Sequence, residues 1–284
     1  MKITFFGTTT LLFDDGDVQI LFDAHFSRPP LYTMFCGKVR TDTAIIDRIF
    51  EQHGINRLKA IFISHSHHDH VMDCPYIARK CKADIYGSRS TLNVARGGGV
   101  AEEKLHLYEL KDDGKSGVIE IGDYKIRVFR SIHSKPKWYN NDIGQEISSP
   151  LLQPASRRAY KEGGSYDFYI EHRKKTYLIR PSFNYLEGEL DGIKADTLFT
   201  GIAGLSRARR AMREKFFSET ADKVKPSLII PLHWDNFFIS FNEHIRGMPL
   251  FIENTCHAFH CLALYCEKSG INCIVQPPLT SIEI

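Results

Sequence analysis

Apolar positions along the chain fall into short runs that alternate with amphipathic stretches, the pattern of strands interleaved with helices. Residues 1–23 read as two or three short strands around the Thr-rich segment Thr8-Thr9-Thr10 and an Asp-Gly turn at Asp15-Gly16. The run Val18-Gln19-Ile20-Leu21-Phe22 ends at Asp23, and an aromatic- and Pro-rich loop follows from His25 to Phe35. Ile45, Ile46, Ile49 and Phe50 have helical spacing over 42–53, with Gly54 as the stop. An apolar strand over 60–64 leads into a helix that reaches about Cys81.

The middle of the chain repeats this logic. A strand at Ile85-Tyr86 precedes a helix near Thr91–Arg96 and then Gly97-Gly98-Gly99. Further strands are expected near Lys104–Leu110, Gly117–Ile121 and Tyr124–Ser131, then Tyr166–Glu171 and Thr176–Arg180. The last third reads as the short strand Thr197–Thr200 closed by Gly201, a helix from Ser206 to about Lys223, and the strand Ser227–Ile230. A helix from about Asn254 to Lys268 and a strand at Asn272–Val275 finish the pattern. No linker-like segment separates the halves, so one α/β domain over 1–284 is expected. The polar stretch 134–166 is long for a connection inside a compact domain, which points to a lid or substrate loop.

Composition narrows the classes. Hydrophobic content of 43% and charged content of 25% are ordinary for a globular chain, and 37 cations against 34 anions give no bulk attraction for nucleic acid. No apolar stretch approaches the ~20 residues of a membrane helix. Met1 to Gly7 faintly resembles a signal peptide, but Asp14, Asp15 and Asp17 follow without a small-residue cleavage site. Seven cysteines without framework-like spacing lead us to expect reduced thiols and a cytoplasmic setting.

The strongest chemistry is the run His65-Ser66-His67-His68-Asp69-His70, directly after Ala60-Ile61-Phe62-Ile63. Imidazoles and a carboxylate suit zinc, manganese or iron, and a strand end can aim several at one point. His133, His233 and Asp23 also sit at the ends of expected strands, where active sites of α/β proteins gather.

His65, His67, Asp69 and His70 form a His-x-His-x-Asp-His pattern that resembles the metallo-β-lactamase superfamily, and the resemblance spans essentially the whole chain. Pro231-Leu232-His233-Trp234-Asp235-Asn236-Phe237 is similar to the lactonase-like branch, which includes ascorbate-6-phosphate lactonases and phospholipase-D-type hydrolases. The resemblance implies a four-layer αββα sandwich. It also implies one metal at His65, His67 and His133 and a second at Asp69, His70 and His233. Asp23 is then expected behind the ligands, orienting an imidazole, and His68 is expected to be a neighbour. The cofactor would be one or two divalent ions, Zn2+ ahead of Mn2+ or Fe2+. A water activated by such an ion would cleave a small ester-like bond, a lactone or phosphodiester, with Asp69 orienting the nucleophile or passing a proton.

The chain departs from the pattern twice. Ser182, in Arg180-Pro181-Ser182-Phe183, falls where most members supply a bridging aspartate, and Thr8 replaces a histidine frequent in the lactonase-like branch. A neutral hydroxyl is a poor bridge, so a non-catalytic metal-binding protein stays open, as does a nuclease of the same fold. A membrane-associated phospholipase would need an exposed patch from Leu31–Phe35 and Phe237–Phe241.

Other residues carry weaker signals. Lys135, Lys137, Arg157, Arg158 and Lys161 would attract a small anionic substrate, and homo-oligomerisation is left open. Phe26, Leu31, Tyr32, Phe35, Trp138 and Tyr139 wall a pocket or pack in the core. His25 is expected in solvent or a turn. Arg207, Arg209, Arg210, Arg213 and Lys215 read as a solvated helix face. Cys256, His260 and Cys261 read as part of a packed helix rather than a metal site.

Overall fold

In the computed structural model, which describes residues 1–136 and 141–284, two seven-stranded sheets pack face to face. The N-terminal half supplies β1 (Lys2–Phe5), β2 (Leu11–Asp14), β3 (Gln19–Phe22), β4 (Leu58–Phe62), β5 (Asp84–Gly87) and β6 (Leu105–Leu107) in spatial sequence. The second sheet runs β7 (Ile119–Ile121), β8 (Tyr124–Ser131), β9 (Ser165–His172), β10 (Lys175–Arg180), β11 (Thr197–Gly201), β12 (Leu228–Leu232) and β13 (Asn272–Cys273). A final strand, β14 (Thr280–Glu283), returns to the first sheet and pairs antiparallel with β1. Both sheets are mixed, with parallel pairing in β3–β4–β5–β6 and in β10–β11–β12–β13.

The strands read as continuous apolar runs because both faces are covered. Ile3, Phe5, Leu11, Phe13, Ile20 and Phe22 point between the sheets, against Tyr124, Ile126, Phe168, Tyr177 and Ile179. Leu12, Leu21, Ile61 and Ile85 point outward, onto the helices α1 (Thr43–His53), α3 (Cys74–Cys81) and α4 (Arg89–Gly97). Between α1 and α3 lies the single turn α2 (His68–Val71). On the far side, α5 (Arg210–Glu219), α6 (Ala221–Val224) and α7 (Thr255–Ser269) bury Phe216, Phe217, Val224, Ala258 and Leu262. Helix, sheet, sheet, helix is the expected αββα sandwich, with two mixed sheets flanked by helices.

Helix ends follow their caps. The Asp42 side chain accepts from Ile45 N, and Gly54 closes α1 at φ 64°. Asn254 caps α7 and Gly270 ends it at φ 65°.

Three expectations needed correction. The helix after the histidine motif is two helices, because Pro75 has no N–H to continue the ladder from α2. The helix expected from Ser206 to Lys223 breaks at Thr220, whose hydroxyl bonds the Phe216 carbonyl at 2.6 Å. The chain also ends in β14 rather than at β13. Among the described residues no helix is long and apolar enough to cross a membrane.

Candidate metal centre

Four strands deliver the polar cluster. β4 is buried along most of its length and runs on through Ile63 and Ser64 to His65, which is 1% exposed. The following turn places His67 at the N-terminal cap of α2, and the turn of α2 itself presents Asp69 and His70 inward. His133 follows β8 by two residues, and His233 directly follows β12. Asp23 directly follows β3. Asp23 and His233 both have positive φ, 54° and 58°, so the chain turns sharply as each side chain is presented.

The six candidate ligands separate into two groups. His65, His67 and His133 bring one ligand atom each within 4.8 Å of one another, and Asp69, His70 and His233 do the same. The groups adjoin, since the His65 and His70 rings lie 3.8 Å apart between centroids. Neighbours fix which nitrogens face inward. His65 Nδ1 lies 3.1 Å from Ser64 Oγ, and His133 Nδ1 donates to the Ser134 carbonyl at 2.9 Å. His70 Nδ1 lies 2.7 Å from Asp23 Oδ2, which leaves its Nε2 3.7 Å from Asp69 Oδ2. His233 Nε2 sits 3.6 Å from the same Asp69 oxygen. Asp23 is itself held by Thr9 Oγ1 at 2.5 Å, Ser64 N at 2.7 Å and Ser64 Oγ at 2.8 Å. It lies behind the His70 ring.

Divalent ions fit these residues. The His65 Nε2 atom is buried without a hydrogen-bond partner, an arrangement that costs free energy unless something binds its lone pair. Burial holds His65 well below the ordinary imidazole range, helped by neighbouring His70, His133 and His67. Burial, with His67 nearby, lowers His133 to about 3. Neutral imidazoles are the ligand form. Burial works to raise the Asp69 carboxyl, but His70, His68 and His233 hold it well below the usual carboxylate range.

An ion pair with no obvious sequence signal braces the second group. Arg28 Nη2 meets Asp235 Oδ2 at 2.5 Å, with both side chains almost fully buried. The other Asp235 oxygen accepts from Thr8 N at 2.7 Å, and the Thr8 carbonyl accepts from His233 N at 2.6 Å. Gly7, at φ 89°, makes room: a Cβ there would lie 1.8 Å from Arg28 Nη2. On the first group's side, Arg180 lies buried against Asp167 at 3.1 Å and donates to the Asn184 carbonyl at 3.2 Å. Asn184 Nδ2 donates in turn to the His133 carbonyl at 2.7 Å.

Ser182 is nearly buried and lines the same cavity as His133, Asp69 and His233. His68 lies beside the second group, its Nδ1 3.3 Å from Asp69 Oδ1. His25 is a correction. It is fully buried, with its ring edge-on to His68 and Phe237, and burial lowers it to about 3. Phe26 packs in the core under the first sheet. Phe237 and Phe238 are buried as well, so the exposed patch that a membrane-associated phospholipase would need is absent at those two residues, whereas Tyr32 and Phe35 are exposed. In α7, Cys256 and His260 face outward while Ala258, Leu262 and Cys266 do the packing. Lys137, Trp138 and Tyr139 lie outside the described residues.

The sequence reading missed Asp142, whose carboxylate lies 3.1 and 3.3 Å from His67 Nε2. It shares the long polar loop with Glu146 and Glu162, and no motif marks it out from them. The cavity over both groups has a volume of about 320 Å³. Lys135, Arg158 and Lys161 contribute cations to its lining, while Phe35, Phe237, Phe238, Met248 and Ile252 contribute apolar surface.

A two-sheet sandwich with histidines and an aspartate at its strand ends defines a class, the metal-dependent hydrolases of the metallo-β-lactamase fold. Residues 19–234 match the family model described as the beta-lactamase superfamily domain, and the chain belongs to that superfamily. It is 23% identical over 237 residues to a UPF0173 protein of Pyrococcus furiosus, covering 84% of this chain and 85% of that one. A UPF0173 metal-dependent hydrolase of Carboxydothermus hydrogenoformans is 23% identical over 244 residues, 84% and 86% of the two chains. Among solved structures, the metallo-β-lactamase fold protein YhfI of Bacillus subtilis superposes with a TM-score of 0.59 at 14% identity, covering 99% of both chains. The chain is therefore a metal-dependent hydrolase.

Proposed function

We propose that this hydrolase cleaves a small anionic ester-like substrate, a lactone or a phosphodiester, at two divalent ions. His65, His67 and His133 would hold one ion, and Asp69, His70 and His233 the other. The observation that carries this reading is that both groups reach one cavity, the first through His65, His67 and His133 and the second through Asp69 and His233, and that its lining includes Lys135, Arg158 and Lys161. Bound divalent ions supply Lewis acidity and bring water ionisation toward neutral pH.

The protein's own residues do the rest. Asp69, ionised and buried, takes a proton from the attacking water on a carboxylate oxygen and returns it to the leaving group. Lys135, Arg158 and Lys161 draw the anionic part of the substrate to the mouth. Phe237, Phe238, Met248 and Ile252 form a separate apolar cluster and exclude water beside the scissile bond. The Pro231–Phe237 segment supports the lactonase-like branch, and zinc suits a donor set dominated by imidazole. Ser182 would leave the second ion without a bridging carboxylate.

His67→Ala tests the reading. Metal content by mass spectrometry should fall by one ion per chain. Turnover should vanish in a panel of a lactone, bis-p-nitrophenyl phosphate, a cephalosporin and structured RNA, run with zinc and with manganese. Undiminished, chelator-resistant turnover by the variant would sink the mechanism, and cleavage of RNA alone would favour a nuclease.

A further inference from the structure

The long loop is tied into the metal centre at its base. We infer that Asp142 is a positioning residue for the first metal group: it holds His67 in the tautomer that offers Nδ1 to the ion. This rests on the proposed ligand role of His67.

The geometry carries the argument. A ring nitrogen has one in-plane direction for a proton or a metal, and the Asp142 carboxylate occupies that direction at Nε2, with both oxygens within 3.3 Å. An ion meeting His67 is therefore left with Nδ1. A carboxylate behind a ligand imidazole fixes its tautomer, aims its ring and raises its basicity. Asp23 does the same for His70 at 2.7 Å. The two groups thus each have one imidazole backed by a carboxylate, one from a strand end and one from the loop.

The loop is braced for this purpose. The Asp142 carbonyl accepts from Gln145 N at 2.9 Å, closing a tight turn. Glu162, 4% exposed, anchors both sides of the loop base: its carboxylate accepts from Gly144 N at 2.9 Å, Gly164 N at 3.1 Å and Ser165 Oγ at 2.6 Å. Its carbonyl accepts from Ser66 N at 2.8 Å, and Ser66 is the residue between His65 and His67. Gly163 lies so close to Ser90 that a Cβ would come within 2.4 Å of its side chain. The turn that carries Asp142 and the turn that carries His67 are therefore locked to each other.

Two measurements on the full chain test this, with Asp142→Ala, Asp142→Asn and Asp142→Glu. In metal-free protein, nitrogen-15 NMR should show His67 protonated at Nε2 in the wild type and as a mixture of tautomers in Asp142→Ala. Zinc titration should then show the first site weakened about 10- to 100-fold in Asp142→Ala. The second site and the metal-free melting temperature should be unchanged, and Asp142→Glu should recover most of the lost affinity. Asp142→Asn separates charge from geometry: tautomer retained with affinity partly lost is the expected result. An Asp142→Ala protein with the wild-type tautomer overturns the inference. So does one whose two sites weaken equally alongside a lower melting temperature. The NMR arm needs no metal, so it decides on Asp142 even if His67 proves not to be a ligand.

Discussion

The two ligand groups differ in how they are built. His65, His67 and His133 form an all-imidazole group in which one outer nitrogen of each ring meets one neighbour: a hydroxyl, a loop carboxylate and a backbone carbonyl, with Asn184 and the buried Arg180–Asp167 pair behind the His133 backbone. Asp69, His70 and His233 include a carboxylate and stand in front of a buried polar frame. Asp23 with Thr9 and Ser64 forms one part of that frame, and Arg28 with Asp235 forms the other. Ser182 lines the cavity beside both groups. A buried frame of this kind would hold the proposed second site in shape even without a bridging carboxylate. The first site needs less framing because neutral imidazoles do not repel one another.

The largest effect is expected at the frame. Asp235→Ala strands Arg28, which has 5% exposure, and frees the Thr8 N–H that helps position His233. Removing one partner of a buried ion pair costs about 3–5 kcal/mol. Denaturant unfolding should show that loss, and zinc titration of the folded variant should show the second site weakened with the first intact. Equal weakening of both sites would mean the frame is shared and the comparison is wrong.

The sequence made the outer parts of this arrangement readable and hid the inner ones. β8 was legible residue for residue because it alternates and is followed by a long polar stretch, and α1 and α7 carry sequence-local caps. The six candidate ligands lie at strand ends that hydrophobic runs announce, or in the turn of α2 just after one. β14 was not legible: Thr280-Ser281-Ile282-Glu283 has one apolar residue, and its partners on β1 lie at the other end of the chain. His25 misled for the same reason. Its environment is made by Phe237 and His68, neither of which is near it in sequence. Asp142 and the Arg28–Asp235 pair are single residues whose meaning exists only after folding, with 75 and 207 positions between partners.

Acid should separate the groups next. His65 and His133 in the first group, and His25 beside the second, have folded pKa values below the ordinary 6.5. Between the lowered value and 6.5 the unfolded chain binds more protons. Stability of the metal-free protein therefore falls as pH drops below 6.5 and continues to fall toward about 3. Each such group contributes a slope of at most about 1.4 kcal/mol per pH unit. Asp69 has a lowered carboxyl, so its contribution is present above its ordinary 3.8 and is lost only as pH falls through its folded value. Unfolding of the metal-free protein at pH 7.5, 6 and 5 checks this. A flat profile would show that the histidines do not fold in as neutral groups.

The smallest effect, and the finest probe of the comparison, is Ser182→Asp. Position 182 follows β10 and lines the cavity with Asp69, His133 and His233. A carboxylate there would add an anionic donor to the cavity that both groups reach, whose lining also carries Lys135, Arg158 and Lys161. Zinc affinity at the second site should rise about tenfold, equivalent to about 1.4 kcal/mol. The first site should rise less, since its three imidazoles already complete a common zinc-binding set. Two-site titration resolves the pair of constants. A rise confined to the first site would reverse the assignment of which group lacks the bridge, and no rise at either would mean that the frame behind Asp69, His70 and His233 already does what the bridge would do.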